Sequence, residues 1–511
     1  MLGHVTDNSV RVWCRTSKPG AFRVRLGTTP DSFVDTQQVA LTKIEDDNTG
    51  TLEISGLLPD TKYHYHVWVN DRPHGLPGSF RTLPSKKNSQ NEKYNPRGLF
   101  NFRFEIGSCA NQNPLHGLGH RAPTYENLNR DWADKVNFHI MNGDWLYEEQ
   151  REFPVEAWRL TQGVGQLPSV VEIMPTVVGV WENYKLYLSR GNELAKWHRN
   201  VPSYFTFDDH ELVNDIWGAG ETGKRHRRTV FRDIGTYAWH NYLGWANPIE
   251  NPQRLHFGKG TMKAGSNLLI DPQADFTKLP LQQMLNLHVH WGTPQAGVND
   301  IQYDDDSGHK NSYVYEIAKV IDAHTLELTA NAKISDTTSY SIGRQSYSKF
   351  RVANCEYFLV DTRGSRDMHD VNQRDKKGIS MLGKQQRDWL LQSMRESDAD
   401  FFFVISSVPF MIPHSGAGGF EVAGNKEEAW TAFFDEREML INEWDKIGKK
   451  VFVMTGDLHN SFAIKVTDNV WEFCCGPHNS VNHVPKNDEM DRPATGKFKF
   501  GPRECDIRWS S

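Results

Sequence analysis

From residue 1 to about 84, apolar and polar positions alternate with a period of two, in VRVWCR, FRVRLG, GTLEISGL, YHYHVWVN and GSFRTLP. Such alternation buries one face of a strand and wets the other, and the turn residues between the runs predict an all-β sandwich. Residues 85–100, SKKNSQNEKYNPRGLF, lose the alternation and read as a structureless polar linker. From 101 onward, strand-like runs end in polar clusters: FRFEIGSCANQN, VNFHIMNGDWLYEE, YFTFDDHELVND, CEYFLVDTRGSR, DFFFVISSVPFM and KVFVMTGDLHNS. Helical periods lie between several of them, as in KQQRDWLLQSMRES and AWTAFFDEREMLINEWDKIG. Strands alternating with helices predict a layered α/β (α+β) domain over 101–511, with sheets flanked by helices.

Residues 256–348 interrupt that domain with hairpin-like runs and little helical period, which predicts an inserted β-rich subdomain. His288 and His290 share one strand face there and could bind metal, but are expected to be half-exposed and inert.

A chain of 511 residues exceeds what one core usually serves, in keeping with two or three domains. Its net charge of −6, without a Lys/Arg-rich block, gives no footprint for nucleic acid. No apolar run is long enough to span a bilayer, and no signal peptide is visible, since a strand pattern begins almost at once. Six cysteines spread over the chain build neither a disulfide framework nor a CxxC zinc site. Cys474 and Cys475 are expected to pack, whereas Cys109 stands among polar strand ends.

Those strand ends carry the candidate chemistry. GSC offers Cys109, NGDW offers Asp144, DDHE offers Asp208, Asp209 and His210, and TGDLHNS offers Asp457 and His459. In α/β sheets, sites sit at the carboxyl ends of strands. A thiolate, several carboxylates and imidazoles together are the ligand types of a multi-metal centre. Taken singly, Asp144 or Asp208 could cap a following helix and His459 could be an ordinary buried histidine. Their succession at strand ends points instead to a metal-dependent hydrolase acting on an oxyanion substrate. Arg363, in DTRGSR, suits either a bidentate phosphate contact or an ion pair with Asp361. His414 and Ser415 fall in a Gly-rich loop, expected at the rim of the pocket, and Trp430 is expected to pack.

The order GSC, GDWLYE, DDHE, DTR, QRDWL and TGDLHNS resembles the PhoD-like alkaline phosphatase/phosphodiesterase family, a branch of the calcineurin-like metallophosphoesterases. LLPDTKYHYHVWV likewise resembles the tyrosine-corner strand of fibronectin type III domains, with Tyr63 bonding back to the preceding turn. The family resemblance implies Fe³⁺ and Ca²⁺, or other divalent metals. It implies Cys109, Asp144 (as bridge), Tyr187 (in preference to Tyr184), Asp209, Asp457 and His459 as ligands. Asp144, His210 and Arg363 are the implied catalytic residues, with His210 on the phosphoryl oxygen or leaving group. The implied reaction is in-line hydrolysis of phosphomono- or phosphodiesters by hydroxide held by the metals. The substrates would be small molecules, lipids or polymers.

A phospholipase D-like or phosphotriester hydrolase, or an inactive secreted binding protein, are the alternatives. Relatives are typically exported, which implies a periplasmic or secreted location. The inserted subdomain is expected to flank the site or to mediate homo-oligomerisation. The C-terminal GPRECDIRWSS reads as ending without a closing element or lid helix, which implies an open pocket suited to bulky diesters.

Overall fold

The core is built from strands buried on both faces, and the sequence shows why. Within Phe138–Asn142, Phe138 and Ile140 face one apolar cluster while Met141 faces another. Phe402 and Val404 point away from Phe401, Phe403 and Ile405 in the same way. Near-continuous apolar runs of this kind belong to parallel sheets covered on both sides. We describe the protein from a computed structural model, for residues 1–115, 117–211, 232–249, 254–281, 284–289, 310–311, 314–367, 377–414, 429–485 and 492–511.

Two sheets stack face to face in an α/β/β/α arrangement. In the first, Phe104–Gly107, Phe138–Asn142 and Ser203–Thr206 run parallel. In the second, Cys355–Leu359, Phe401–Ile405, Lys450–Thr455 and Val470–Cys474 run parallel, flanked by antiparallel strands. Aromatic rings fill the interface: Tyr204 lies flat on Phe350, Phe350 on Tyr357, and Tyr357 on Phe403. Helices Val177–Arg190, Asn192–Asn200 and Arg232–Tyr242 supply the core outside the first sheet, and Gly383–Glu396 and Phe434–Ile447 that outside the second.

The N-terminal β-sandwich is fused to this core. Leu2–Gly3 pairs antiparallel with Ser9–Arg15 and parallel with Ser203–Thr206, so one six-stranded sheet runs from the sandwich into the core. Its other sheet holds Ser32–Thr42, Gly20–Thr29, Lys62–Val69 and Arg72–Arg81. The Leu58 amide donates to the Tyr63 hydroxyl at 2.9 Å, closing the corner expected of that tyrosine. The stretch 85–100 is ordered rather than structureless. Lys86–Ser89 forms a helical turn, Asn95 Nδ2 donates to Ser89 and Leu99 carbonyls, and Arg97 pairs with Asp400.

Asp47 ties the sandwich to the helices. Fully buried, it accepts Arg15 Nε at 3.1 Å, Trp158 Nε1 at 3.0 Å and the Tyr242 hydroxyl, with Lys185 Nζ at 3.4 Å. Asp47→Ala would strand the Arg15 guanidinium and two donors, while Lys185 keeps Glu182, and breaking a buried pair costs about 3–5 kcal/mol. The expected result is a lower urea midpoint for the whole chain, followed by circular dichroism.

A seven-stranded sheet between His256 and Arg344 has its own apolar core. Within it His288 is buried near Asp233 rather than half-exposed, because Asp233 and Ser341 meet beneath the sheet. His290 lies outside the described residues, as does Ser415. The C-terminal stretch also departs from expectation: Gly496–Phe500 and Arg503–Ser510 form a hairpin that extends the second core sheet. Among the described residues no helix is long and apolar enough to cross a membrane.

Candidate metal centre

The polar clusters meet where the parallel strands of both sheets end. Asn142 links the two sheets there, its Nδ2 donating to the Ser406 carbonyl at 2.8 Å while its Oδ1 accepts from Thr206. Cys109, Asp144, Asp457 and His459 all adopt positive φ, between 54° and 70°. Four chemically reactive residues in this sparsely populated region mark a strained, over-determined site. Gly143 makes the turn possible: φ is +79°, and a Cβ there would lie 2.6 Å from the Asp208 Cβ.

Asp144 is the hub. Its carboxylate belongs to three sets whose ligand atoms lie within 4.8 Å of one another: with Cys109 and His459, with Asp209 and His210, and with Asp208 and Asp457. Cys109 Sγ lies 3.4 Å from Asp144 Oδ2, and Asp144 Oδ1 is buried without a hydrogen-bond partner. The His459 Nδ1–H donates to the Val481 carbonyl at 2.8 Å, which turns Nε2 toward the cluster. Asp144 caps no helix, since the next one begins at Val155, and the Asp208 carboxylate accepts from Arg363 and Ser407.

The tyrosine at the cluster is Tyr147, not Tyr187. The Tyr147 hydroxyl donates to Asp144 Oδ2 at 3.3 Å and lies 3.0 Å from His459 Nε2. The Tyr187 oxygen instead accepts the backbone N–H groups of Gln112 and Tyr147, and Tyr184 is buried against Trp145 and Tyr242. Tyr147 stands three residues past Asp144 in GDWLY, close enough to return to the same pocket. Tyr147→Phe is expected to weaken metal binding on the order of 10–100-fold, the usual effect of disturbing a ligand's surroundings. Tyr187→Phe should leave it within about threefold, and competition with a chelator separates the two.

Arg363 is buried behind the cluster, on Asp208 and 3.6 Å from Asp209. Asp361 pairs with Arg232 and receives the backbone N–H groups of Arg363 and Gly364. Glu211, unassigned from the sequence, joins the loops: it accepts the amides of Asp144, Trp145 and Asp208 at 3.2, 2.8 and 2.8 Å. The His210 Nδ1–H donates to the Glu148 carboxylate at 2.8 Å, and its ring lies tilted against that of Tyr147. His414 is half-buried, its Nδ1 2.8 Å from Asp457 Oδ2. Trp430 packs, its Nε1 donating to Ser406.

Burial pushes the Cys109 thiol up to about 12, with Asp457 adding to it, and holds Asp144 well above the carboxylate range together with Cys109 and Asp209. Burial likewise raises Asp208 to about 6 and Glu211 to about 8. Asp457 goes the other way: burial opposes its charge, but His414, Arg363 and His459 outweigh it. At His210, too, burial disfavours charge, yet Glu148 and Asp209 lift it to about 10. A crowd of buried anions in these states takes up protons unless cations replace them.

A family model for PhoD-like phosphatases matches residues 104–268 and 334–509, two thirds of the chain. The chain belongs to the PhoD-like phosphatase family. As a PhoD-like phosphatase it is a metal-dependent phosphoester hydrolase in class. The stretch between the two matched segments carries four strands of the seven-stranded sheet, from Met284–Val289 to Thr325–Leu328. Residues 1–86 match a domain of unknown function, DUF7800. A solved structure described as PhoD superposes with TM-score 0.57 at 16% identity, over 93% of this PhoD-like chain and 76% of that one. A purple acid phosphatase, PPD1 from yellow lupin (Lupinus luteus) seeds, gives TM-score 0.50 at 11% identity, over 100% of this chain and 66% of that one. At these identities the likeness is one of fold. No curated protein matches the chain in sequence.

Proposed function

We propose that this protein hydrolyses phosphodiesters and phosphomonoesters at a mixed-metal centre bridged by Asp144. The observation that carries the reading is the Asp144 carboxylate, common to three ligand sets and with one buried oxygen unpartnered. The donors divide by chemistry. Cys109, Tyr147 and His459 gather on one side, a thiol, a phenol and an imidazole suited to Fe³⁺. Asp208, Asp209 and Asp457 are hard carboxylates suited to Ca²⁺ or another divalent ion. When bound, the cations supply Lewis-acid polarisation of the phosphoryl group and lower the pKa of water.

The chain's own residues do the rest. Glu211 holds the Asp144 and Asp208 turns in register, and Arg363 keeps Asp208 anchored. His210 and His414 remain partly open to solvent while Cys109 and Asp144 do not, so the imidazoles face an incoming ester. Glu148 on Nδ1 leaves His210 Nε2 to donate to a phosphoryl oxygen or to the departing alcohol. The same reading puts the protein's work outside the cytoplasm, which cell fractionation checks.

The test is elemental analysis of protein never exposed to chelator, beside turnover of p-nitrophenyl phosphate and bis(p-nitrophenyl) phosphate. Iron near one per chain with calcium, and turnover abolished by chelation, is the expected result. Two transition metals without iron would retain the phosphoesterase and refute the Fe³⁺ assignment. A folded chain that carries no metal and cleaves neither ester overturns the proposal.

A further inference from the structure

A cavity of about 720 Å³ lies between the N-terminal sandwich, the helix Arg232–Tyr242 and the end of the strand Asp336–Arg344. None of its lining residues belongs to the metal centre. Two polar side chains in its wall are buried without full partners. Arg344 is 9% exposed and its Nε meets no hydrogen-bond acceptor, and His240 is 9% exposed with Nε2 equally unmet. Burying a guanidinium is costly unless an anion compensates it. Among the described residues no carboxylate pairs with Arg344; burial and the neighbouring Arg254 pull it down to about 9.

The surrounding charge has the same sign. Arg11, Lys43 and Arg254 line the cavity with Arg344, against Asp46 and Glu53. Those two acids pair within the wall with Arg254 and Arg11, which leaves the charges of Lys43 and Arg344. Asp46 accepts from Tyr237 at 2.9 Å, Asn241 at 3.3 Å and Arg254 at 3.2 Å, and Glu53 accepts Arg11 Nε at 3.1 Å. His240 is held below its ordinary value by burial and by Arg344, so its ring is neutral and presents a nitrogen without adding charge. Leu41, Trp245 and Leu255 supply an apolar side to the same space.

We propose that this cavity is an oxyanion-binding site, separate from the metal centre, in which Arg344 and His240 hold a phosphate group. A planar guanidinium fork matches two oxygens of such a group at once, and an anion there relieves the uncompensated charge. The site stands or falls independently of which metals the protein carries, because it shares no residue with their ligands.

Isothermal titration of the metal-loaded full chain with inorganic phosphate tests it. The wild-type protein is expected to show two classes of site. Arg344→Met should weaken one class at least tenfold, leaving the other class and ester turnover unchanged. Arg254→Ser, at an exposed position, should weaken the same class several-fold. A single class in wild-type protein overturns the proposal, as do two classes at unchanged affinity in both variants. Phenylphosphonate, which is not hydrolysed, distinguishes the source of the ligand. Equal affinity assigns the site to free phosphate, and a tenfold gain assigns it to an organic phosphate that also uses Trp245 and Leu255.

Discussion

Asp144→Asn should give a folded protein that has lost nearly all turnover. Asparagine keeps the shape of the side chain and its neutral hydrogen bonds, but it removes the one charge shared by all three ligand sets. Loss of a member of a catalytic unit commonly costs 10³-fold or more in kcat, and about that loss is expected here. Metal content should fall with it. Stability should respond with a definite sign in chelated protein. Asp144 has a folded-state pKa well above its ordinary value, so the fold favours its protonated form. That contribution is present near and below the ordinary carboxylate value of about 4 and is lost as pH rises through the folded-state value. Metal-free wild-type protein should therefore lose stability from pH 5 to pH 8, and Asp144→Asn should flatten the slope. Thermal melts across that range check the sign. A binding protein on a disused phosphatase scaffold would keep its ligand affinity in the same variant.

Arg363→Met should destabilise the protein more than any other single change at the site. Its guanidinium is fully buried and compensates Asp208 directly and Asp209 at 3.6 Å. Removing one partner of a buried pair costs about 3–5 kcal/mol, because the remaining charge stays behind. The loss should be greatest in metal-free protein and partly recovered on adding metal, since a cation can take over compensation of the carboxylates. Had Arg363 gripped substrate phosphate, the same variant would raise KM and leave the melting temperature alone. Thermal melts with and without metal, read beside KM, separate the two roles.

The architecture could be read in the sequence because apolar runs and their polar ends are local signals. Each of FRFEIGSC, FHIMNGDW, YFTFDDHE and KVFVMTGDLH states both its strand and where the strand stops. What could not be read was which partners the ends would find. Arg363 had two reasonable fates in the chain, and only the stacking of the sheets brings it to Asp208, 155 residues away. The pair Tyr187 and Tyr184 left out Tyr147 for a similar reason. Spacing along the sequence says nothing of the amides of Gln112 and Tyr147 that occupy the Tyr187 oxygen. Glu211 was passed over because a carboxylate that serves backbone amides leaves no mark in a motif.

The pairing of Gly3 with Ser203 has a consequence for how the chain is made. The strand Ser203–Thr206, which leads into Asp208, lies inside its sheet only once Leu2–Gly3 has docked beside it, with about two hundred residues between them. Contacts so distant in sequence are slow to form, and an exposed parallel edge invites pairing with other chains in the meantime. Synthesis must therefore hold the first strand in waiting until the third core strand has left the ribosome. Removing the N-terminal sandwich would not free an independent second domain; it would leave a raw sheet edge next to the turn that holds Asp208 and Asp209.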